Sequence, residues 1–435
     1  MRVIEKNNKR LIRSWSMFDW ANSAYNLVIT STIFPAYYTA ITQTAENGDV
    51  VSFFGLKVIN TALSNFALAF SYLFMAFILP FLSSYADVQG KKKTMMMFFT
   101  YFGAIACMGL FFFRLETLEL GVILFGLAAM GYIGGVLFNN SYLPEIATVD
   151  KQDSVSAQGF AYGYVGCVTL QLICLVFILK PEWFGITDLS FGPRLSFLLV
   201  GVWWASFSTI PFLALPNNQK SAIRASKKIF RTVIIEYRIV MRRIQKMQRI
   251  RRFLPAYFFY SAGVQTVMIV AAAFGAKELH LESSKLIITI LLIQLVAILG
   301  AFLMSKLSAR FGNIKILIAV VFVWIGVCVS AFFIKTEVEF YVLACLVGLV
   351  MGGIQSLSRS TYSKFLPEDI KDTTSFFSFY DVTEKLAIVL GLFSFGLIEQ
   401  FTHNIRYSAL FLSVFFIIGC GLLFRLLRFN KAMTL

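Results

Sequence analysis

Five charged side chains are set at membrane depth by the apolar residues around them: Asp19, Asp381 and Glu384 against Arg359 and Lys385. A charge at the centre of a bilayer costs about 2.5–3.5 kcal/mol on insertion scales, so such residues are kept for pairing, proton relay or substrate contact. Asp381 and Lys385 stand four apart, in the order that favours a helical ion pair, with Glu384 three residues from Asp381. One acid is then left over. A surplus carboxylate in a low dielectric can take up a proton, which makes Asp19, Asp381 and Glu384 the candidates for proton coupling, with Glu384 ahead of Asp19. The alternative is that these charges only lock a gate in paired form.

Neutral polar groups accompany them. Asn22, Tyr25, Asn26, Asn139, Asn140, Tyr164, Gln265, Gln294, Gln355 and Tyr380 lie on segments expected to line a central cavity. A zwitterionic solute needs one cationic and one anionic contact, which Arg359 or Lys385 and Asp381 or Glu384 can supply. Asp19, Asn22, Ser23, Asn26 and Thr30 share one helical face, and such a stripe either meets water or a ligand or bonds to neighbouring helices. Other chemistries have little to build on. The two histidines, His280 and His403, fall in short loops, and the six cysteines lack metal-ligand or redox spacing and read as small packing residues. No phosphate-cradling Gly-Lys-Ser/Thr loop and no nucleophile with a base is visible, so no metal, no cofactor and no enzyme activity are expected.

The elements that position these residues follow from composition: 58% of the chain is hydrophobic and only 14% charged. Spans of about 20 apolar residues are predicted at 18–42, 58–83, 95–113, 118–140, 157–179 and 195–215, and again at 254–276, 284–305, 316–334, 338–360, 375–399 and 408–427. The expected fold is an all-α polytopic membrane protein of twelve helices in two pseudo-symmetric six-helix bundles, residues 1–215 and 254–435, joined by a basic linker over 216–253. The first span starts behind a polar head, contains Pro35 and has no small-residue cleavage site, so it is expected to be retained.

Net charge is +16, and its placement decides its meaning. Alternate loops hold 29 Lys and Arg on the side of the termini and 8 on the other. Positive residues stay inside, so both termini are read as cytoplasmic, the membrane as a bacterial inner membrane, and the basic balance as topology and lipid contact rather than nucleic-acid binding. In the linker, Phe230, Val233, Tyr237, Val240, Ile244 and Met247 recur at spacings of three and four among cations. This predicts an amphipathic helix lying flat at the lipid headgroups, either a plain linker or a partner-binding element.

Three strings narrow the class. The turn Ser83-Ser84-Tyr85-Ala86-Asp87-Val88-Gln89-Gly90-Lys91-Lys92-Lys93 resembles the helix 2 to 3 signature of the major facilitator superfamily, with Ser83 and Val88 where Gly and Arg are usual. A degraded echo, Ser305 to Lys315, keeps Arg310 and Gly312 but has Ala309 for the acid. Leu143-Pro144-Glu145 after Gly134-Gly135 is likewise echoed by Leu366-Pro367-Glu368 after Gly352-Gly353, as a duplicated unit requires. Proline is expected to end each helix there, and the paired glycines to let helices approach closely. SMFDWANSAYN from Ser16, GGIQSLSRSTYSKFLPE from Gly352 and SFFSFYDVTEKLA from Ser375 look like the vacuole-effluxer-like branch of the superfamily, with Glu384 where many relatives have glycine.

The resemblance implies an alternating-access transporter in which Asp87, Gly90, Lys91, Arg310, Glu145 and Glu368 form gates and Asp87 meets a helix N-terminus of the other lobe. Its substrates would be small polar metabolites, amino acids first; protons as the coupling ion are expected from the surplus carboxylate. The chain is expected to act as a monomer in the lipid bilayer. Efflux of amphipathic compounds, or a receptor or scaffold that has lost transport, are the competing readings.

Overall fold

The computed structural model describes residues 5–43, 48–217, 229–368 and 370–433. The first span is one continuous rod made of α1 (Lys9–Ala24), a π-helical stretch over Tyr25–Thr32, and α2 (Ile33–Thr42). The wider winding has a local cause: Ser31 Oγ donates to the Asn26 carbonyl at 2.9 Å and Thr32 Oγ donates to the Leu27 carbonyl at 2.8 Å, so hydroxyls satisfy carbonyls five residues back.

After a two-stranded hairpin, β1 (Val50–Phe53) and β2 (Leu56–Ile59), the first bundle continues with α3 (Asn60–Gln89), α4 (Lys92–Gly109) and α5 (Leu118–Asn140). A short helix α6 (Leu143–Ile146) precedes α7 (Gln152–Leu179) and α8 (Phe191–Ala214). The hairpin, absent from the sequence reading, turns on Phe54 and Gly55, both with positive φ. The second bundle comprises α10 (Gln248–Leu279), α11 (Ser283–Phe311), α12 (Asn313–Phe333), α13 (Glu337–Phe365), α14 (Thr373–Thr402) and α15 (Ile405–Met433). Between the bundles runs α9 (Ile229–Lys246); residues 218–228 of the basic loop and the Phe230 side chain lie outside the described residues.

Ten of the described helices are long and apolar enough to cross a membrane. The π-interrupted α1–α2 rod and α14, which carries Asp381, Glu384 and Lys385, complete the twelve. Apart from α5, which keeps the predicted bounds, and α8, the spanning helices overrun their predicted spans toward the face that bears both termini, called here the basic face, because the bundles continue past the apolar thickness into its charged turns.

In the first lobe α1 packs on α7 and α8, and α4 on α5 and α8; in the second α10 packs on α15, α11 on α13 and α12 on α15. The lobes meet along two pseudo-equivalent seams, α3 with α14 and α7 with α11. Close approach is bought by glycine where backbones touch: a Cβ on Gly131 of α5 would strike the Gly103 backbone of α4, and one on Gly352 of α13 the Ala297 carbonyl of α11. Proline behaves differently in the two echoes. Pro367 follows the end of α13, whereas α5 has already stopped at Asn140 and Pro144 opens α6, where its missing N–H costs nothing.

The helix expected in the linker exists, but its apolar stripe does not face lipid. Val233, Val240 and Ile244 are buried against the protein, and α9 packs on α3, α10 and α14, because the open ends of two bundles offer an apolar saddle that a headgroup layer does not.

Candidate functional site

Between the lobes lies a cavity with about 950 Å³ of empty space, open solvent included. α1 supplies Asp19, Asn22 and Ser23, and the π-helical stretch Asn26; α5 supplies Asn140; α13 supplies Gln355, Ser358 and Arg359; α14 supplies Tyr380, Glu384 and Lys385. Gln265 of α10 also lines it. The sequence-expected residues that converge are therefore Asp19, Asn22, Asn26, Asn140, Gln265, Gln355, Arg359, Tyr380, Glu384 and Lys385.

Others fall elsewhere. Tyr25 is buried against Tyr132 and Trp204 in the first-lobe core. Asn139 stands behind Asp19, donating to it at 3.3 Å, and Tyr164 sits behind Gln355, donating to it at 2.6 Å. Gln294 and Thr30 are not in the wall; the π-helical winding carries Thr30 out of register with Asn26. Sequence reasoning missed the aromatic wall of Tyr72, Tyr132, Phe160, Tyr257 and Tyr260, because its rings come from four helices and no single stretch displays them together.

Two ion pairs face each other across this space. Arg359 donates through one NH group to Asp19 and Asn140, each at 3.1 Å, through Nε to Ser156 Oγ at 3.0 Å, and through its other NH group to the Ser156 carbonyl at 2.8 Å. Its guanidinium is stacked over Phe160 and Trp15. All three nitrogens of the fork are thus engaged, and the pair ties α13 of one lobe to α1, α5 and α7 of the other. Gly159 makes room for it: a Cβ there would run into the Asp19 carboxylate and the guanidinium.

The second pair corrects the expected spacing of four. Lys385 bonds Glu384 at 2.6 Å, not Asp381, and Glu384 also accepts from Gln265 at 2.9 Å. The acid left over is Asp381. It is 1% exposed, and among the described residues its one donor is Asn140 Nδ2 at 3.5 Å and its second oxygen has none. Glu384, expected ahead of Asp19 as the proton carrier, is thus held by a cation, whereas Asp381 has no salt bridge among the described residues.

On the basic face the lobes are bolted together. Asp87, at the end of α3, accepts from the Ser375 N–H and hydroxyl at 2.7 Å each, at the first turn of α14, where helix dipole and free N–H groups favour an anion. Gly90 ends α3 in the left-handed conformation, with φ of 65°. The cation of this turn is Lys92, fully buried, bonded to Glu145 and to Thr373 Oγ. Lys91, expected at the gate, is exposed and among the described residues reaches Tyr85 alone; the buried cation of the turn is its neighbour.

In the second lobe the polarity is inverted. Ala309 cannot supply the acid, and the acid stands on the other lobe instead: Asp153, in the first turn of α7, accepts from Ser308 Oγ at 2.8 Å, Asn313 Nδ2 at 2.7 Å and Lys364 Nζ at 2.6 Å. Arg310 is exposed and lies over the neighbouring Phe311, and Glu368 is exposed; neither takes part in a described contact between lobes. Asp153 was findable, since an acid at the head of a predicted span is a helix-terminus signal. Among the described residues, every polar bond between the lobes lies at the cavity or between it and the basic face, so that face is the closed one.

Comparison with known proteins places this architecture. Residues 7–434 match the family model described as vacuole effluxer Atg22 like. A relative in Bacillus subtilis (strain 168), named an uncharacterized MFS-type transporter YxiO, is 32% identical over 94% of this chain and 93% of its own. Autophagy-related protein 22 of Saccharomyces cerevisiae (strain ATCC 204508 / S288c) is 25% identical over 80% of this chain and 75% of its own. Among solved structures, the proton:xylose symporter XylE superposes with a TM-score of 0.72 over 96% of this chain and 95% of that one at 11% identity, a likeness of fold alone. The chain belongs to the vacuole effluxer Atg22-like family and is a multi-pass membrane protein with the twelve-helix major facilitator fold.

Proposed function

We propose that the chain is a secondary active transporter that moves zwitterionic small metabolites, amino acids first, by rocking its two lobes about the central cavity. The observation that carries this reading is the bipolar wall: an Asp19–Arg359 pair and a Glu384–Lys385 pair on one cavity, each divisible between a substrate's ammonium and carboxylate. A solute with both charges can exchange with either pair without stranding a buried ion, whereas a singly charged solute leaves one partner uncompensated. The basic face, with its excess of Lys and Arg, is assigned to the cytoplasm.

Proton coupling runs through Asp381 in this reading. A buried carboxyl that no cation bonds is easier to hold neutral than a salt-bridged one, and parting of the lobes would break its contact with Asn140 and expose it. The test is uptake of labelled amino acids into proteoliposomes, with unlabelled amino acids, amines and organic acids as competitors. Competition by amines or organic acids equal to that by amino acids would sink the zwitterion assignment.

A further inference from the structure

Four carboxylates gather around the head of α14: Asp87 on Ser375, Glu145 on Thr373, Asp372 at the cap, and Glu236 from α9. Two cations meet them, Lys92, which bonds Glu145 and Thr373, and Arg243, which bonds Asp372 at 3.1 Å. Glu236 is the odd member. It is fully buried, no donor among the described residues reaches either of its oxygens, and its carboxyl faces that of Asp372.

Two carboxylates in contact in a covered site cannot both be charged without a large penalty, so they hold one proton between them. The element that brings Glu236 there also spans the lobe junction. Tyr237 lies between Phe81 of α3 and Phe379 of α14, with ring centroids 5.3 Å and 6.0 Å away, and Val233, Val240 and Ile244 are covered beside it.

We propose that the Glu236–Asp372 carboxyl pair is a proton-binding site on the basic face, and that occupancy of this site by a proton holds α9 across the two lobes. The groups facing Glu236 favour its protonated form on balance. Burial, then the Asp372 and Asp87 carboxylates, hold the Glu236 carboxyl up at about 8 against the opposing pull of Arg243. From α10, Arg249 and Arg251 are exposed and Arg252 lies over the Phe429 ring.

When α9 lifts, Glu236 enters water and returns towards its ordinary value of 4.5. Docking then takes up one proton between pH 4.5 and about 8: it is fully favoured at the acid end, weakens about tenfold per pH unit, and has lost this contribution above about 8. Since the lobes cannot part on this face while α9 bridges them, acid on that side favours the closed state. That last consequence rests on the alternating-access reading; docking itself does not.

The experiment places spin labels at Arg238→Cys on α9 and Lys91→Cys on the first lobe, both exposed, and measures the inter-label distance in the full chain in lipid nanodiscs from pH 5 to 9. The expected result is a short distance at low pH whose ratio to longer distances falls about tenfold per unit up to about pH 8. Glu236→Gln should keep the short distance throughout, and Arg243→Gln should move the midpoint to higher pH. A distance indifferent to pH, a Glu236→Gln protein with the unsubstituted slope, or an Arg243→Gln midpoint that stays or falls would each overturn the proposal. The labels read docking and not flux, so a pH-indifferent strap sinks this inference alone, and absent uptake with a titrating strap sinks only the transport reading.

Discussion

Neutralising Asp153 isolates the inverted latch. Asp153→Asn keeps the size of the side chain and one acceptor oxygen, which can serve Ser308 or Asn313, and removes the charge that Lys364 answers. The Asp153 side chain is 4% exposed and Lys364 19%, so the pair is nearly but not wholly buried. Removing one partner of a fully buried pair costs about 3–5 kcal/mol. Partial solvation of the lysine and the surviving hydrogen bonds bring the expected loss to about 2–3 kcal/mol. All of it falls on the closed basic face, because Asp153 belongs to one lobe and its three donors to the other. The ratio of closed to open molecules should therefore drop about 30- to 150-fold.

Labels at Ser154→Cys and Arg310→Cys flank the latch, and both sites are exposed. Their distance distribution should gain a longer component in Asp153→Asn. Lys364→Gln should give the same shift, and the double substitution little more than either alone, because both remove one bond. A distribution unchanged in Asp153→Asn, or full additivity in the double variant, would refute the reasoning.

Three further outcomes are expected. Asp381→Asn should leave uptake under a substrate gradient but abolish its response to an imposed pH gradient; retention of that response in proteoliposomes would remove Asp381 from proton transfer. Arg359→Lys should weaken substrate binding about tenfold or more, read as ligand-induced thermal stabilisation, since a point charge cannot serve Asp19, Asn140 and Ser156 together. Gly159→Ala should destabilise by about 1–3 kcal/mol and depress uptake, because its methyl group displaces the Asp19–Arg359 pair; normal uptake and melting would show that the pair can move aside.

Element existence was legible because lipid allows one local solution. A run of apolar residues must satisfy its own backbone, so length and hydropathy are enough to locate a spanning helix. The duplication was legible too, in the paired Leu-Pro-Glu and Gly-Gly strings, and so were the residue types at the cavity. What failed was pairing. Spacing of four suggested Asp381 with Lys385, yet Lys385 turns to Glu384, leaving Asp381 with Asn140 of the other lobe. Three consecutive lysines after Gly90 are indistinguishable in sequence; the interior receives only Lys92, because helix α4 begins there and aims it at Glu145.

By itself, then, the chain determined its solvent, its number of crossings, its two-fold internal repeat and the inventory of embedded charges with one acid in excess. Each of these is set by residues close together in sequence or by a sum over all of them. Only the packed lobes decided which acid has no cation, that the second gate carries its acid on the opposite lobe, and that α9 covers protein and not lipid. Apart from the adjacent Glu384–Lys385 pair, the bonds concerned join residues more than a hundred positions apart, and their energies depend on distance and burial, which no local pattern encodes.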